Sequence, residues 1–160
     1  MTEIQYNRKK AVAYARKWAF DRNPNYYDFG DIGGDCTNFA SQCIYAGCGV
    51  MNYTPTYGWY YISVDNRSPA WTAARYLYDF LTSNEYVGPY GVEEMFDKAE
   101  LADIIQLSFD GKTWTHSLPI VGFANEQPLV AAHSFNALDR PLDTYSYVLK
   151  RLIHIQGARK

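Results

Sequence analysis

The sequence lacks the features that would draw a protein to nucleic acid or into a membrane. Its 15 basic and 17 acidic side chains leave a net charge of −2 over 160 residues, without a lysine- and arginine-rich cluster. No apolar run approaches the ~20 residues that a membrane-spanning helix needs, and residues 2–6 do not resemble a secretory signal. We therefore expect no nucleic-acid partner and no transmembrane segment. The compartment stays open between the cytoplasm and, for a domain cut from a longer protein, export to the cell wall.

Cysteine is also scarce, with three in the chain. Three thiols cannot all pair with one another, so at least one stays free unless it pairs between chains. This excludes a scaffold built from disulfides and favours a thiol with a chemical role or a reducing compartment. The length and the lack of repeats or linkers predict a single domain over residues 1–160. We predict no cofactor and take a monomer as the default oligomeric state.

Apolar periodicity predicts helices in the first half of the chain and strands in the second. The predicted helices are 3–21, Cys36 to Gly47 and a segment from Ser68-Pro69 to Leu81, and the predicted strands are 103–109, 117–124, 129–135 and 145–155. Residues 49–66 are predicted to be a loop and 88–91 a turn. Helices that precede a meander of strands predict an α+β fold, with the amino-terminal helices packed on an antiparallel sheet.

The strongest chemical signal is Cys36, which follows two glycines and Asp35. Asp35 is the predicted N-cap of a helix that begins at Cys36. The free N–H groups and the positive end of the helix dipole favour a thiolate there, so we expect a depressed pKa and a nucleophilic sulfur. A buried, inert cysteine at the head of the apolar stripe would show the same pattern, and the helix alone does not decide between them.

Two histidines lie at the same end of one predicted hairpin. His116 begins one strand and His133 ends the next, with the turn near 125–128. Opposite side chains on one face approach to ~5 Å at Cβ, so the two imidazoles can form a hydrogen bond. This placement makes the two histidines candidates for a base and its orienting partner. Asn136 is the alternative third residue, because a one-residue slip exchanges the faces of a strand, and His154 is expected to be structural.

These motifs resemble the putative amidase domain family of bacteria. The resemblance covers nearly the whole chain and rests on residues 33–43, on 103–106, on His116-Ser117 before an apolar strand, and on 132–134. It implies the papain-like fold that these domains share with NlpC-type and CHAP-type cell-wall hydrolases. It also implies Cys36 as the nucleophile, His116 as the base and His133 as the third residue. The implied substrate is a peptidoglycan stem peptide or another small amide.

Aromatic residues are abundant, at 17% of the chain. The dense segment 57–61 is predicted to form part of a groove wall, and Trp59, Trp114 and Asp35 are candidate substrate-binding residues. The resemblance makes Tyr27 the candidate second donor to the oxyanion, beside the backbone N–H of Cys36.

Two other functions remain open at the level of sequence. A zinc site could use Cys36, His116, His133 and Cys43, but Cys43 reads as a core residue and no metal-binding spacing is present, so we predict no metal. A peptide- or cell-wall-binding module with an aromatic groove, without catalysis, is the second alternative.

Overall fold

A computed structural model describes all 160 residues and has an α+β fold, as predicted. The helices are α1 (Arg8–Trp18), α2 (Cys36–Cys48), α3 (Pro69–Thr72) and α4 (Ala74–Ser83). The strands are β1 (Glu3–Ile4), β2 (Tyr61–Ser63), β3 (Asn66–Arg67), β4 (Gly88–Glu94), β5 (Ile104–Ser108), β6 (His116–Ala124), β7 (Gln127–Ala132), β8 (Ala137–Pro141) and β9 (Leu149–Arg159). No helix combines the length and the apolar character that crossing a membrane requires.

The main sheet is antiparallel and has seven strands, in the order β1-β9-β5-β6-β7-β8 with β4 also paired to β9. Strands β5, β6 and β7 follow one another as the predicted meander. Strand β8 is not among the predicted strands, and the predicted strand 145–155 is β9, which pairs with β5 and β4 instead of continuing the meander. Strands β2 and β3 form a separate small hairpin.

Helix α2 is the centre of the helical layer, and 11 of its 13 residues are buried. Its polar side chains are satisfied internally, as burial requires. The Ser41 hydroxyl donates to the carbonyl of Trp71 at 2.9 Å and accepts from the indole N–H of Trp59 at 3.0 Å. The helix ends one residue later than predicted, at Cys48, because Gly49 takes a left-handed conformation (φ 68°) that closes it.

The two faces of the sheet carry different partners. Ser117 and Val121 of β6 face the helices, where the Ser117 hydroxyl hydrogen-bonds to that of Thr37 at 2.9 Å and Val121 joins the core under α1 and α2. Leu118 and Ile120 belong to a second core on the opposite face. Since side chains alternate along a strand, His116 lies on that opposite face, away from α2.

Several predicted boundaries are wrong for local reasons. The predicted helix 3–21 is shorter, because residues 3–4 pair with β9 and the Asn7 side chain caps α1 by accepting from the Lys10 N–H at 3.0 Å. The predicted helix at Ser68-Pro69 does begin at Pro69. It is interrupted at Ala73, whose extended backbone separates α3 from α4. The predicted loop 49–66 contains most of the β2–β3 hairpin.

The predicted turn at residues 88–91 is instead the beginning of β4. Gly91 serves close backbone approach rather than chain reversal: a Cβ on this residue would lie 2.4 Å from the carbonyl oxygen of His154 on β9. The β4–β9 register shifts at this point, so the absence of a side chain lets the two strands pair.

We predict that Gly91→Ala destabilises the fold by about 1–3 kcal/mol, the usual cost of overpacking, because the added methyl group collides with backbone. Gly122→Ala is the matched control, since Gly122 also lies at a register shift but its nearest neighbour, Leu129 Cδ1, would be 3.6 Å away. That variant should stay within about 0.5 kcal/mol of the wild type. Urea unfolding measures both, and equal losses would contradict the packing argument.

Candidate active site

Cys36 is the first residue of α2 and lines a cleft of about 320 Å³. Its sulfur lies 3.4 Å from the carbonyl oxygen of Thr115, and the N–H of Ser117 is close enough to stabilise a negative charge on it. The sulfur therefore packs against the backbone on both sides of His116. Strand β7 ends at Ala132, so the sulfur fills an edge of β6 that has no partner strand.

The loop before Cys36 is held in an unusual backbone conformation. Gly33 and Gly34 have φ values of 78° and 99°, which favour glycine. The N–H of Asp35 then donates to the Ser134 hydroxyl at 2.6 Å, and the N–H of Gly34 to the carbonyl of Phe29 at 3.1 Å. These bonds fix the direction in which the chain enters α2.

Asp35 occupies the predicted N-cap position, but its carboxylate does not cap the helix backbone. One oxygen accepts from the N–H of Phe29 and the side-chain amide of Asn38, each at 2.9 Å, and the other from His133 Nδ1 at 2.6 Å. Burial alone would raise the pKa of Asp35. The hydrogen bonds from His133, Asn38 and Phe29 outweigh burial and lower this pKa.

His133 is engaged away from His116. Its Nε2 lies 2.7 Å from the carbonyl oxygen of Trp18, at the end of α1, and its ring stacks on Phe39 with 3.9 Å between centroids. Both ring nitrogens are therefore occupied by oxygen atoms of other residues, and neither reaches His116. The expected imidazole pair is therefore wrong in this geometry, because β7 ends at Ala132 and the chain leaves the sheet before His133.

Asn136, the alternative third residue, does not reach His116 either. Its side-chain oxygen accepts from the Arg22 guanidinium at 2.8 Å, on the exposed side of the loop.

The expected depression of the Cys36 pKa is wrong. Burial raises the pKa of this thiol, and hydrogen bonds from the Ser117 N–H and from Thr37 offset only part of the rise. The sulfur does lie at a helix N-terminus, as predicted. Cys36 is only 5% exposed, however, so the cost of burying a thiolate exceeds the stabilisation that the helix N-terminus offers.

His116 lines a second cavity, of about 430 Å³, which shares no lining residue with the cleft. Its Nδ1 is buried and has no hydrogen-bond partner. The ring meets Phe109 edge to face, with 4.9 Å between centroids. Burial lowers the pKa of His116, so the neutral ring is favoured and one nitrogen is available as a base.

The aromatic residues predicted at the site have different positions. Trp114 lines the Cys36 cleft, and the Arg151 guanidinium lies over its ring at 4.1 Å. Trp59 is fully buried against Trp71, with 4.6 Å between ring centroids, so its assignment to a groove wall is wrong. The central residue of the aromatic segment 57–61, Trp59, therefore belongs to the hydrophobic core.

Tyr27 lies next to the cleft but does not line it; Phe29, against which its ring packs at 5.0 Å, does. The Tyr27 carbonyl accepts from the Asn38 amide at 2.9 Å, so this tyrosine helps to hold the loop before Cys36.

The residues considered as zinc ligands are not gathered in one place. Cys43 is buried in the core between α1 and β6, and both nitrogens of His133 are occupied. No group of three or more His, Cys, Asp or Glu side chains in the chain is arranged to hold a metal ion.

Three further residues at the site are not apparent from the sequence. Arg67 lines the Cys36 cleft, while Arg140 and Tyr145 line the cavity beside His116. No local pattern marks them: Arg140 belongs to β8, which periodicity does not reveal, and Tyr145 is one of 15 tyrosines.

Comparison with known proteins identifies relatives of this chain. A family model described as a putative amidase domain matches residues 5–156. Two proteins of Bacillus subtilis (strain 168) are similar: the uncharacterized protein YhbB, 33% identical over 138 residues, and the uncharacterized protein YjcM, 27% identical over 144 residues. The alignments cover 84% and 85% of this chain but 43% and 32% of the relatives, so the chain spans less than half the length of the curated relatives it matches. No solved structure matches.

We predict that His133→Gln lowers the free energy of unfolding by about 3–5 kcal/mol, because it breaks the buried pair with the Asp35 carboxylate. His154→Gln is the control: it should cost less, since its partner Asp103 keeps Arg8 at 2.7 Å. The pKa of Asp35 is below its ordinary value of 3.8. The stabilisation of the fold by the ionised Asp35 carboxylate is therefore fully present above pH 3.8 and is lost as the pH falls further.

The wild type should therefore lose stability in acid more steeply than His133→Gln, measured by urea unfolding at a series of pH values. An equal slope in the two proteins would show that this pair does not set the acid sensitivity.

Proposed function

Because the chain belongs to the putative amidase domain family, we propose that it hydrolyses an amide bond through a thioester on Cys36, with His116 as general base. The observation that carries the proposal is the place of the sulfur. It opens into a cleft at the start of a buried helix and packs against the backbone that flanks His116. His116 in turn has a buried ring nitrogen without a partner.

A papain-like relationship to NlpC-type and CHAP-type hydrolases forms part of the proposal. It is supported by the order of the elements: a cysteine at the start of a buried helix, then an antiparallel meander with a histidine at the head of one strand. Fold likeness alone would not carry the activity, which rests on the site.

The pKa shifts of Cys36 and His116 favour the uncharged form of both residues before the reaction begins. Burial raises the pKa of Cys36 and lowers that of His116, so the thiol keeps its proton and the imidazole remains uncharged. In this state we propose that His116 reaches the sulfur around the open edge of β6, where Cys36 packs against the backbone, and accepts the thiol proton as the sulfur attacks, rather than resting as half of an ion pair.

The reaction then proceeds in two halves. The sulfur bonds to the carbonyl carbon, and the backbone N–H of Cys36, which has no partner within the helix, donates to the oxyanion. As the C–N bond breaks, His116 returns the proton to the leaving amine. A water molecule, deprotonated by His116, attacks the thioester; the carboxylic acid leaves and the sulfur regains its proton.

His133 acts in this proposal as a positioning residue for the nucleophile rather than for the base. It holds Asp35, the residue before Cys36, at 2.6 Å. Its influence on catalysis is then exerted through the loop and the start of α2.

The proposed substrate is a peptidoglycan peptide or a related small amide, as the resemblance implies. Phe29 and Trp114 give the cleft apolar walls on which an extended peptide can lie. Incubation with purified peptidoglycan and, in parallel, with casein tests this, with mass spectrometry identifying released fragments. Fragments from casein alone would contradict the substrate class.

We predict that Cys36→Ser lowers turnover at least ~1,000-fold while the protein stays folded, because serine suits a helix start but is a poor nucleophile here. Cys48→Ser is the matched control: that thiol donates to the carbonyl of Val50 at 3.5 Å, far from the cleft, and serine can do the same. Chelators should leave the rate unchanged. Near-normal turnover by Cys36→Ser, or its loss on chelation, would overturn the assignment.

We also predict that kcat/KM falls in acid with a midpoint below pH 6.5, since burial lowers the pKa of His116 from that value and only the neutral ring is a base. Protonation of this ring as the pH falls removes activity. A pH profile of fragment release measures the midpoint.

His133→Gln provides the control for that profile. Because His133 makes no hydrogen bond to His116, the substitution should leave the midpoint in place even if the rate falls. A shifted midpoint would restore the role of His133 as the orienting residue of the base.

A further inference from the structure

We propose that the cavity beside His116 is a subsite for a carboxylate of the substrate, with Tyr145 and Arg140 as its donors. The inference deepens the proposed function and rests on it, since it places the carboxylate next to the bond that Cys36 attacks. It narrows the substrate class to amides that carry a carboxylate close to the scissile bond.

The cavity contains two polar atoms that the protein leaves unsatisfied. His116 and Tyr145 line it, and the buried Nδ1 of the first and the buried hydroxyl of the second have no hydrogen-bond partner of good geometry. The Arg140 guanidinium is close enough to the Tyr145 hydroxyl to oppose the effect of burial on its pKa. Buried polar groups are paired in the great majority of cases, and each exception calls for an explanation. If His116 Nδ1 receives the thiol proton during the reaction, the Tyr145 hydroxyl remains as a donor without an assigned acceptor.

Arg140 adds a positive charge without a counter-ion. Its guanidinium lies over the Tyr145 ring, 3.6 Å from the centroid. Two of its nitrogens, Nε and Nη2, bond to Thr144 at 2.8 and 3.0 Å, which leaves Nη1 free. The neighbouring carboxylate, Asp139, turns away to a bidentate bond with Arg16 at 2.9 Å, so it does not neutralise Arg140.

The charge around the nucleophile is opposite to that of the whole chain. The chain has 17 acidic and 15 basic side chains. The cleft of Cys36 and the cavity of His116 are nevertheless lined by one arginine each, Arg67 and Arg140, and by no aspartate or glutamate. A carboxylate entering this region is attracted by the two arginines, while the Asp35 carboxylate next to Cys36, whose charge opposes it, is already hydrogen-bonded to His133.

A carboxylate matches both donors at once. A neutral carbonyl would satisfy the Tyr145 hydroxyl but leave Arg140 unpaired, whereas two carboxylate oxygens can accept from a hydroxyl and a guanidinium together. Burial raises the pKa of Tyr145, so the hydroxyl keeps the proton that it would donate. A charge on Cys36 also raises this pKa, which indicates that the two residues lie within electrostatic range of each other.

The test compares two alkylating agents that differ only in charge, iodoacetate and iodoacetamide, on the full chain. Cys36 labelling is followed by mass spectrometry, and the ratio of the two rates is divided by the same ratio for glutathione. We expect Cys36 to favour iodoacetate by about 10-fold or more relative to glutathione, the equivalent of one charge-assisted contact. High salt should weaken this preference.

Three variants locate the preference. Arg140→Gln should abolish it, and Tyr145→Phe, which keeps the ring under the guanidinium, should reduce it. Arg75→Gln removes the same charge at an exposed position over Tyr76 and should leave it unchanged. A wild-type ratio equal to that of glutathione, or an unchanged ratio in both Arg140→Gln and Tyr145→Phe, would overturn the subsite.

These outcomes are separate from those that test the proposed function, because labelling does not require turnover. An enzyme that hydrolyses peptidoglycan with an unchanged labelling ratio would overturn the carboxylate subsite alone. A strong preference for iodoacetate in a chain that hydrolyses nothing would support the anion site and contradict the proposed hydrolysis.

Discussion

The hydrogen bond between Asp35 and His133 is the constraint on which the candidate site depends. It joins the start of α2 to the chain just beyond β7, and the second nitrogen of His133 extends the connection to the end of α1 through Trp18. A buried charge is tolerable only when it is paired and hydrogen-bonded, so this arrangement has few alternatives. Cys36 is the next residue after Asp35, and the place of its sulfur follows from the pair.

The charge state of Cys36 shows how burial outweighs a helix terminus. The helix dipole contributes typically ~0.3–1 kcal/mol to a charge at its end, which is less than ~1 unit of pKa. Complete burial can shift a pKa by ~3–5 units in the opposite direction. The structure gives the sulfur little exposure, so burial prevails. A site of this kind depends on a base for proton removal, the role that we propose for His116, whose own burial favours the neutral ring.

The sequence is sufficient to predict helices and strands whose apolar residues recur with a clear period. It is insufficient where the position of a side chain depends on strand register or on how deeply the residue is buried. The helix from Cys36 and the meander containing His116 follow from apolar spacing. The partner of His133 does not, because β7 ends at Ala132, three residues before the predicted end, and His133 then contacts Asp35 and the end of α1. Trp59 shows the same limit, since an aromatic cluster does not indicate which ring enters the core. Residues 88–91 look like a turn because glycine and proline also serve close strand contact.

The early end of β7 connects the fold to the chemistry. Ser134 and Phe135 both have positive φ values, 57° and 77°, which are costly for residues with side chains, and they form the turn that carries the chain from β7 into β8. The edge of β6 beside His116 is thereby left without a strand, and its free carbonyl and N–H groups meet the sulfur of Cys36 instead. Were β7 two residues longer, its backbone would occupy that edge and the helix could not approach. The strained turn at Ser134 and Phe135 therefore leaves room for the contacts of the Cys36 sulfur with the backbone of β6, the strand that carries His116.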